Sequence, residues 1–178
     1  PLAPPGNPVT TASHGAQAPG IAASVAPATH RVAHVTNTPD QTMPDSVPAF
    51  LAWLAQTDQQ PEASWGGPGL MLPALSAPRA LLLVDMPAPE AQDLGGVLDA
   101  AQQRFVRSML AALGLSPDEA PCLPMALRRP PGGLIDPPVL GQLGARTLHY
   151  LGLVRPGPVI LLGDRVTRAL LGEGWRPG

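Results

Sequence analysis

Two uninterrupted apolar runs most constrain what this chain can fold into. The first is Leu81–Val84 within "RALLLVD", and the second is Val159–Leu162 within "PVILLGD". Each run ends at a polar segment that leads into a helical pattern, which is typical of strands buried on both faces. Strands that alternate with helices predict right-handed crossovers and a mainly parallel sheet. We therefore expect an α/β fold with three layers (αβα), in which these two strands are parallel neighbours.

The segments around these strands complete the pattern. "DSVPAFLAWLAQTD" predicts a short first helix, with Ser46 as its cap and Pro48 in its first turn. "PCLPMAL" predicts a second strand, which Pro124 weakens because proline donates no backbone hydrogen bond. "DRVTRALLG" predicts a last helix, with Asp164 suited to its N-terminus.

Two further helices are predicted from apolar residues at three- and four-residue spacing. The first ends at Gly114, a typical helix-terminating glycine. Its expected apolar face consists of Leu98, Ala101, Phe105, Met109 and Ala112. The apolar positions of the second, in which Gly141 and Gly144 weaken the pattern, are Val139, Leu143, Leu148 and Leu151.

The N-terminal quarter of the chain has a different composition. Many of the 25 prolines lie there, in a stretch without a helical or strand period. Such a segment buries too little apolar surface to offset the entropy lost on ordering. We expect residues 1–45 to be a disordered tail or linker that is rich in Pro and Ala, and residues 46–178 to form the folded domain. We also expect that the domain is truncated, since the chain stops at "GEGWRPG".

Charge and cysteine content exclude several classes of protein. The 11 basic residues are all arginine and the formal net charge is −2, so charge alone does not indicate a nucleic-acid-binding protein. Cys122 is the single cysteine, which excludes an intrachain disulfide and a four-thiolate metal site. Neither a secretory signal nor an apolar run near the ~20 residues of a membrane span is present, so we expect a cytoplasmic protein without a membrane partner.

Asp85 is the first residue after the first predicted strand. In parallel sheets, ligands bind at the carboxyl ends of the strands. That rule brings together three loops, which comprise residues 85–96, 128–133 and 163–164. Asp85 is therefore a candidate catalytic carboxylate, and the alternative is a turn aspartate that accepts hydrogen bonds from loop amides.

The order of these loops resembles the uracil-DNA glycosylase superfamily, especially its family four branch. The first motif of that family reads Gly-Glu-Ala-Pro-Gly, two variable residues, Glu-Asp, two more residues and Gly, and "VDMPAPEAQDLG" fits it without a gap. Asp85 takes the place of the motif glutamate, and Pro87 that of its proline. "LRRPPGG" resembles a later Lys-Cys-Arg-Pro-Pro-Gly-Asn loop, and "RPGPVILLGDRVTRALLG" resembles the strand and helix that follow it. The resemblance covers about half of the chain.

The sequence also departs from the family pattern at chemically important positions. Val84 and Ala88 replace motif glycines, and Ala91 and Gln92 replace the Glu-Asp pair. Leu98 stands where the family has the phenylalanine that stacks on uracil, and Pro124 where it has an asparagine. Arg128 and Leu143 occupy two positions of the cysteines that bind an iron–sulfur cluster, which needs about four thiolates. We therefore expect neither a metal nor another cofactor.

The resemblance implies a protein that hydrolyses the N-glycosidic bond of uracil in single- or double-stranded DNA, as in base excision repair. Asp85 would be the catalytic carboxylate, and the backbone amide near Ala88 would meet a uracil oxygen. Arg128 and Arg129 would hold DNA phosphates, or else form a solvated pair. The base would be bound by Met86, Pro87, Ala88, Gly95, Leu98 and Pro124.

Two other interpretations stay open. The first is a catalytically inactive descendant of the same fold that acts as a DNA-binding or protein-interaction module, which the replacements at Leu98 and Pro124 favour. The second, an unrelated α/β hydrolase, is disfavoured because the chain has no serine-centred elbow.

Overall fold

Three parallel strands form the centre of the computed structural model, which describes residues 42–92, 96–172 and 174. The strands are β1 (Leu81–Val84), β2 (Cys122–Pro124) and β3 (Val159–Leu162), in the order β2-β1-β3. Both neighbours of β1 run parallel to it. The predicted pairing of β1 with β3 is therefore confirmed, and the structure has the mixed helices and strands of an α/β protein. Pro124 is tolerated because β2 is an edge strand.

Helices lie at the four positions that the sequence pattern indicates, and a further short helix that was not predicted follows β1. They are α1 (Val47–Leu54), α2 (Pro89–Gln92), α3 (Ala100–Ala112), α4 (Pro137–Val154) and α5 (Asp164–Leu171), and single 3-10 turns occur at Thr57–Gln59 and Pro131–Gly133. Ser46 occupies the cap position of α1 without a side-chain hydrogen bond. Asp99 and Gln102 form a reciprocal capping box that begins α3. Asp164 lies in the first turn of α5, whose cap is Gly163.

Helices cover both faces of the central strand, because its side chains alternate between two apolar clusters. Leu81 and Leu83 pack in a cluster with buried residues of α1, α4 and α5. Leu82 and Val84 pack in a second cluster with residues of α3. All four residues of β1 are buried, as expected of a central strand in a parallel sheet.

The predicted apolar face of α3 is only partly correct. Val106 and Leu110, four residues apart, are the buried positions of the helix. Phe105 is 66% exposed, and Ala101 and Ala112 are exposed as well. The helix carries apolar residues on two adjacent sides, and contact with Leu82 and Val84 decides which side is buried. Spacing alone does not distinguish the two sides, since both have helical periodicity. In α4, Leu143 is buried as predicted, whereas Leu148 is 48% exposed.

The packed part of the chain begins before the expected domain boundary at residue 45. Met43 packs against the first apolar cluster. His149 Nε2 lies 2.7 Å from the carbonyl oxygen of Pro44, to which it donates. The rest of the predicted tail, residues 1–41, lies outside the described residues.

A buried ion pair joins α4 to the connection between α1 and β1. Nη2 of Arg146 lies 2.7 Å from a carboxylate oxygen of Glu62, and both side chains are at most 5% exposed. The guanidinium also donates to the side-chain oxygen of Gln60 and to the carbonyl of Met125. The same carboxylate oxygen also accepts the backbone N–H of Leu127 at 3.0 Å, and the second oxygen accepts Nη1 of Arg146 at 2.9 Å. The pair therefore fixes three separate segments of the chain around one point.

Helices α4 and α5 approach each other closely at Gly144. A Cβ atom at this position would lie 2.7 Å from the carbonyl oxygen of Ala169 in α5, closer than such atoms approach. Gly141, one turn earlier in α4, faces open space. The two glycines that weaken the helical pattern therefore differ, since only Gly144 is required for helix packing.

We expect Gly144→Ala to lower the free energy of unfolding by ~1–3 kcal/mol, because the added methyl group forces α4 and α5 apart. Gly141→Ala is the matched control, and it should stabilise the protein by ~0.5–1 kcal/mol because alanine favours the helix. Urea unfolding followed by circular dichroism measures both changes. Equal stability of the two variants would show that this helix contact is not tight.

We expect Arg146→Met to lower the free energy of unfolding by ~3–5 kcal/mol, because it leaves the Glu62 carboxylate buried without its partner. Arg168→Met removes an exposed ion pair with Asp164 and should change stability by less than ~1 kcal/mol. The same unfolding assay compares them. A loss no larger for Arg146→Met than for Arg168→Met would contradict a structural role of the buried pair.

Candidate functional site

The backbone at the carboxyl end of β1 is held firmly. The N–H of Met125 donates to the carbonyl of Val84 at 2.8 Å, and the N–H of Ala126 donates to the carbonyl of Asp85 at 2.9 Å. The ladder between β1 and the segment after β2 therefore continues one residue past the strand. The backbone of Asp85 is therefore fixed where the loop begins, at the edge of the sheet at which the sequence predicts a site.

The Asp85 carboxylate has two partners. Oδ2 lies 2.6 Å from Nη1 of Arg165, a residue in the first turn of α5. Oδ1 accepts the backbone N–H of Met86 at 2.9 Å. The side chains of Asp85 and Arg165 are 29% and 36% exposed, so the pair remains in contact with solvent. Such a pair contributes at most ~1 kcal/mol to stability, but it fixes the orientation of the carboxylate.

The loop after Asp85 is tightly packed. Met86, Pro87 and Ala88 are all buried. The N–H of Ala88, which the resemblance assigns to a uracil oxygen, donates instead to the carbonyl of Val97 at 2.9 Å. That amide is therefore engaged within the loop in this structure. Gly95, another predicted base-binding residue, lies outside the described residues.

Leu98 and Pro124 are both buried. Leu98 is 9% exposed and belongs to the cluster that α3 covers. Pro124 pairs with Val84 in the register of β2 and β1, and it borders a small cavity together with Leu83 and Phe50. Both of these predicted base-binding residues are therefore largely removed from solvent in this structure.

The adjacent arginines Arg128 and Arg129 point to different partners. Nη1 of Arg128 donates to the carbonyl of Trp65 at 3.1 Å, and its side chain borders an apolar cavity of about 90 Å³. Nη1 of Arg129 donates to the carbonyl of Pro87 at 2.9 Å. Gly132, with φ of 69°, supplies the left-handed turn of this loop. Of the two, Arg129 contacts the loop that begins at Asp85.

Arg165 is the residue of this edge that sequence reasoning missed. The rule for parallel sheets pointed to Gly163 and Asp164 as a loop near Asp85, and Arg165 is the next residue. The available signal was the cation that directly follows this loop in the chain. The sequence does not show which carboxylate this arginine contacts. In the structure, Arg165 contacts Asp85, whereas the neighbouring Asp164 pairs with Arg168 at 3.0 Å.

Comparisons with known proteins do not assign a family to the chain. No protein-family model matches it, and no curated protein matches it significantly. Within the described ranges, no group of three or more His, Cys, Asp and Glu side chains is arranged to hold a metal ion. No helix in the same ranges is long and apolar enough to cross a membrane.

Cys122 lies on β2 beside the second apolar cluster. Burial raises the pKa of its thiol from the ordinary 9.0 to about 12. Since the thiolate is the reactive form, the thiol has little nucleophilic character near neutral pH. Cys122 is therefore a packing residue of the sheet rather than a nucleophile.

We expect Cys122 to react with a disulfide reagent such as Ellman's reagent ~10³-fold more slowly in the native protein than in urea at pH ~8, since its thiolate is scarce. The absorbance of the released thiol measures the rate, and Cys122→Ser gives the background. Equal rates in both solvents would contradict the raised pKa.

Proposed function

We propose that this chain is a divergent uracil-DNA glycosylase-like protein that hydrolyses the N-glycosidic bond of uracil in DNA, with Asp85 as its catalytic carboxylate. The observation that carries the proposal is the position of Asp85. Its carboxylate is partly exposed and oriented by two hydrogen bonds, directly after the central parallel strand. This residue also takes the place of the glutamate in the motif of the family that the sequence resembles.

The proposed fold is the three-layer αβα domain of that superfamily, within residues 46–178. Its support is the parallel order β2-β1-β3 together with helices on both faces of β1. The carboxyl ends of β1 and β3 also lie close together, since Arg165 reaches Asp85, as any parallel sheet of this order requires.

The chemistry requires a negative charge near the sugar. When the bond between the sugar carbon and the uracil nitrogen breaks, its electron pair leaves with the base and positive charge develops on the sugar. Water then adds to that carbon and releases a proton, which gives uracil and an abasic site. A fixed carboxylate stabilises the cationic sugar and orients the attacking water. Asp85 is the group that we assign to this role.

A second candidate is the catalytically inactive descendant, retained as a DNA-binding or protein-interaction module. Two specific observations favour it. Arg165 offsets the charge of Asp85, and the Ala88 amide is already bonded to Val97. Leu98 stands in place of the phenylalanine that stacks on uracil in the family. Its side chain packs in the core, so it offers no exposed surface on which a base could stack.

We expect the protein to release uracil from single-stranded DNA, and Asp85→Asn to slow this by ~10²–10³-fold, the effect of losing ~3–4 kcal/mol of transition-state stabilisation. Asparagine preserves the size of the side chain but removes its charge. Release of radiolabelled uracil measures the rate, and thermal unfolding checks that the variant is folded.

Asp164→Asn is the matched control, because it neutralises an exposed aspartate at the start of α5. It should leave uracil release within ~2-fold of the wild type, since a charge outside the reacting centre contributes little. If Asp85→Asn were as active as the wild type, Asp85 would not be catalytic. A wild-type protein that is inactive on both single- and double-stranded substrates would instead support the second candidate.

A further inference from the structure

Two guanidinium groups from different elements are anchored to one short loop. Arg165, from α5, donates to the Asp85 side chain, and Arg129, from the loop after β2, donates to the Pro87 carbonyl. The Cα atoms of Asp85 and Pro87 lie at most ~7 Å apart, because only Met86 separates them along the chain. The arginines are therefore drawn to the same edge of the sheet by partners that are themselves adjacent.

Each of these arginines keeps most of its hydrogen-bonding capacity. A guanidinium has five N–H donors in a planar fork. In the described part of the chain, Arg165 uses Nη1 for one carboxylate oxygen, and Arg129 uses Nη1 for one carbonyl oxygen. Both side chains are partly exposed. Neither contact is the bidentate arrangement that saturates a guanidinium edge, so donors remain for an anion.

The charges at this edge are unequal. Asp85 offsets one of the two guanidinium charges, and the carbonyl of Pro87 offsets none. Within the described residues, Glu90 of α2 forms no ion pair with either arginine, and Asp164 is paired with Arg168. Arg128 does not contribute, because it points to Trp65. Among the residues that the structure describes, one positive charge is thus uncompensated beside Asp85.

We propose that Arg165 and Arg129 form a phosphate-binding site for one backbone phosphate of a DNA strand, with Arg165 as the residue that Asp85 and the phosphate share. The choice of DNA as the source of the phosphate rests on the proposed function. Arginine forks match the geometry of phosphate oxygens, and such contacts position a strand without reading its sequence. Here they hold the sugar of the bound nucleotide next to the Asp85 carboxylate.

This site implies opposite effects for the two members of the ion pair. Arg165 attracts a phosphate, whereas Asp85 repels it and competes for the same guanidinium. Removing the charge of Asp85 therefore strengthens DNA binding while it removes the catalytic group.

The test is binding of a fluorescent single-stranded DNA without uracil, about 20 nucleotides long, at salt concentrations between ~50 and ~200 mM. We expect Arg165→Gln and Arg129→Gln each to weaken binding ~3–10-fold and to reduce the salt slope by ~0.7, the value for one lost contact on a single strand. Arg165→Lys should retain most of the affinity, since it keeps the charge. Asp85→Asn should bind ~3-fold more tightly, since a guanidinium is freed for phosphate.

The matched control is Arg168→Gln, which removes a charge from the same helix, three residues further along. Because Arg168 is paired with Asp164 and, in the described residues, forms no hydrogen bond or ion pair with the Asp85 loop, this variant should change the affinity by less than ~2-fold. Equal losses in Arg165→Gln and Arg168→Gln would overturn the site, and so would wild-type protein that does not bind the DNA at low salt. Circular dichroism confirms that each variant is folded.

This binding test is independent of the proposed glycosylase activity, because the DNA contains no uracil and the assay measures no cleavage. Wild-type protein that binds through Arg165 but releases no uracil would retain this site and overturn the glycosylase activity. Uracil release that is unchanged in Arg165→Gln and Arg129→Gln would support the glycosylase activity and overturn the phosphate site.

Discussion

The buried ion pair between Arg146 and Glu62 is the interaction on which the arrangement of the described chain depends most. A charged pair removed from water stabilises a fold only if its remaining hydrogen bonds are satisfied. Gln60, Met125 and Leu127 satisfy them here. Because these partners come from separate segments, the hydrogen bonds of the pair are complete only when all of these segments are in place. The irregular connection between α1 and β1 thereby acquires a fixed path that its own sequence does not specify.

The same pair shapes the functional edge of the sheet from a distance. Leu127 directly precedes Arg128, and Met125 lies two residues before Leu127, so Arg146 and Glu62 fix the backbone that leads into both arginines. From that fixed point, successive side chains leave in different directions. Arg128 reaches Trp65, and Arg129 reaches Pro87. The buried pair of Arg146 and Glu62 therefore fixes the segment from which Arg129 reaches the Asp85 loop.

The two interpretations of Asp85 that the sequence left open both have a basis in the structure. Asp85 accepts the amide of Met86, as a turn aspartate does, and it remains partly exposed at the end of the central strand, as a catalytic carboxylate must. Arg165 connects the two interpretations. It fixes the carboxylate in one orientation, and it also reduces the negative charge that a cationic sugar would meet. Whether the pair serves chemistry or only structure depends on what else binds the guanidinium.

By itself, the sequence determined the strands, their parallel pairing and the position of Asp85 after β1. Runs such as Leu81–Val84 carry this information locally, because a strand that is apolar on both sides must be central. Only the tertiary structure decided which side of α3 is buried, why Gly144 is required and which cation meets Asp85. Phe105 and Val106 are both apolar and adjacent, and Arg128, Arg129 and Arg165 are chemically identical. Their difference arises from the partners that distant segments bring to them, and a pattern of residue types along the chain does not contain those partners.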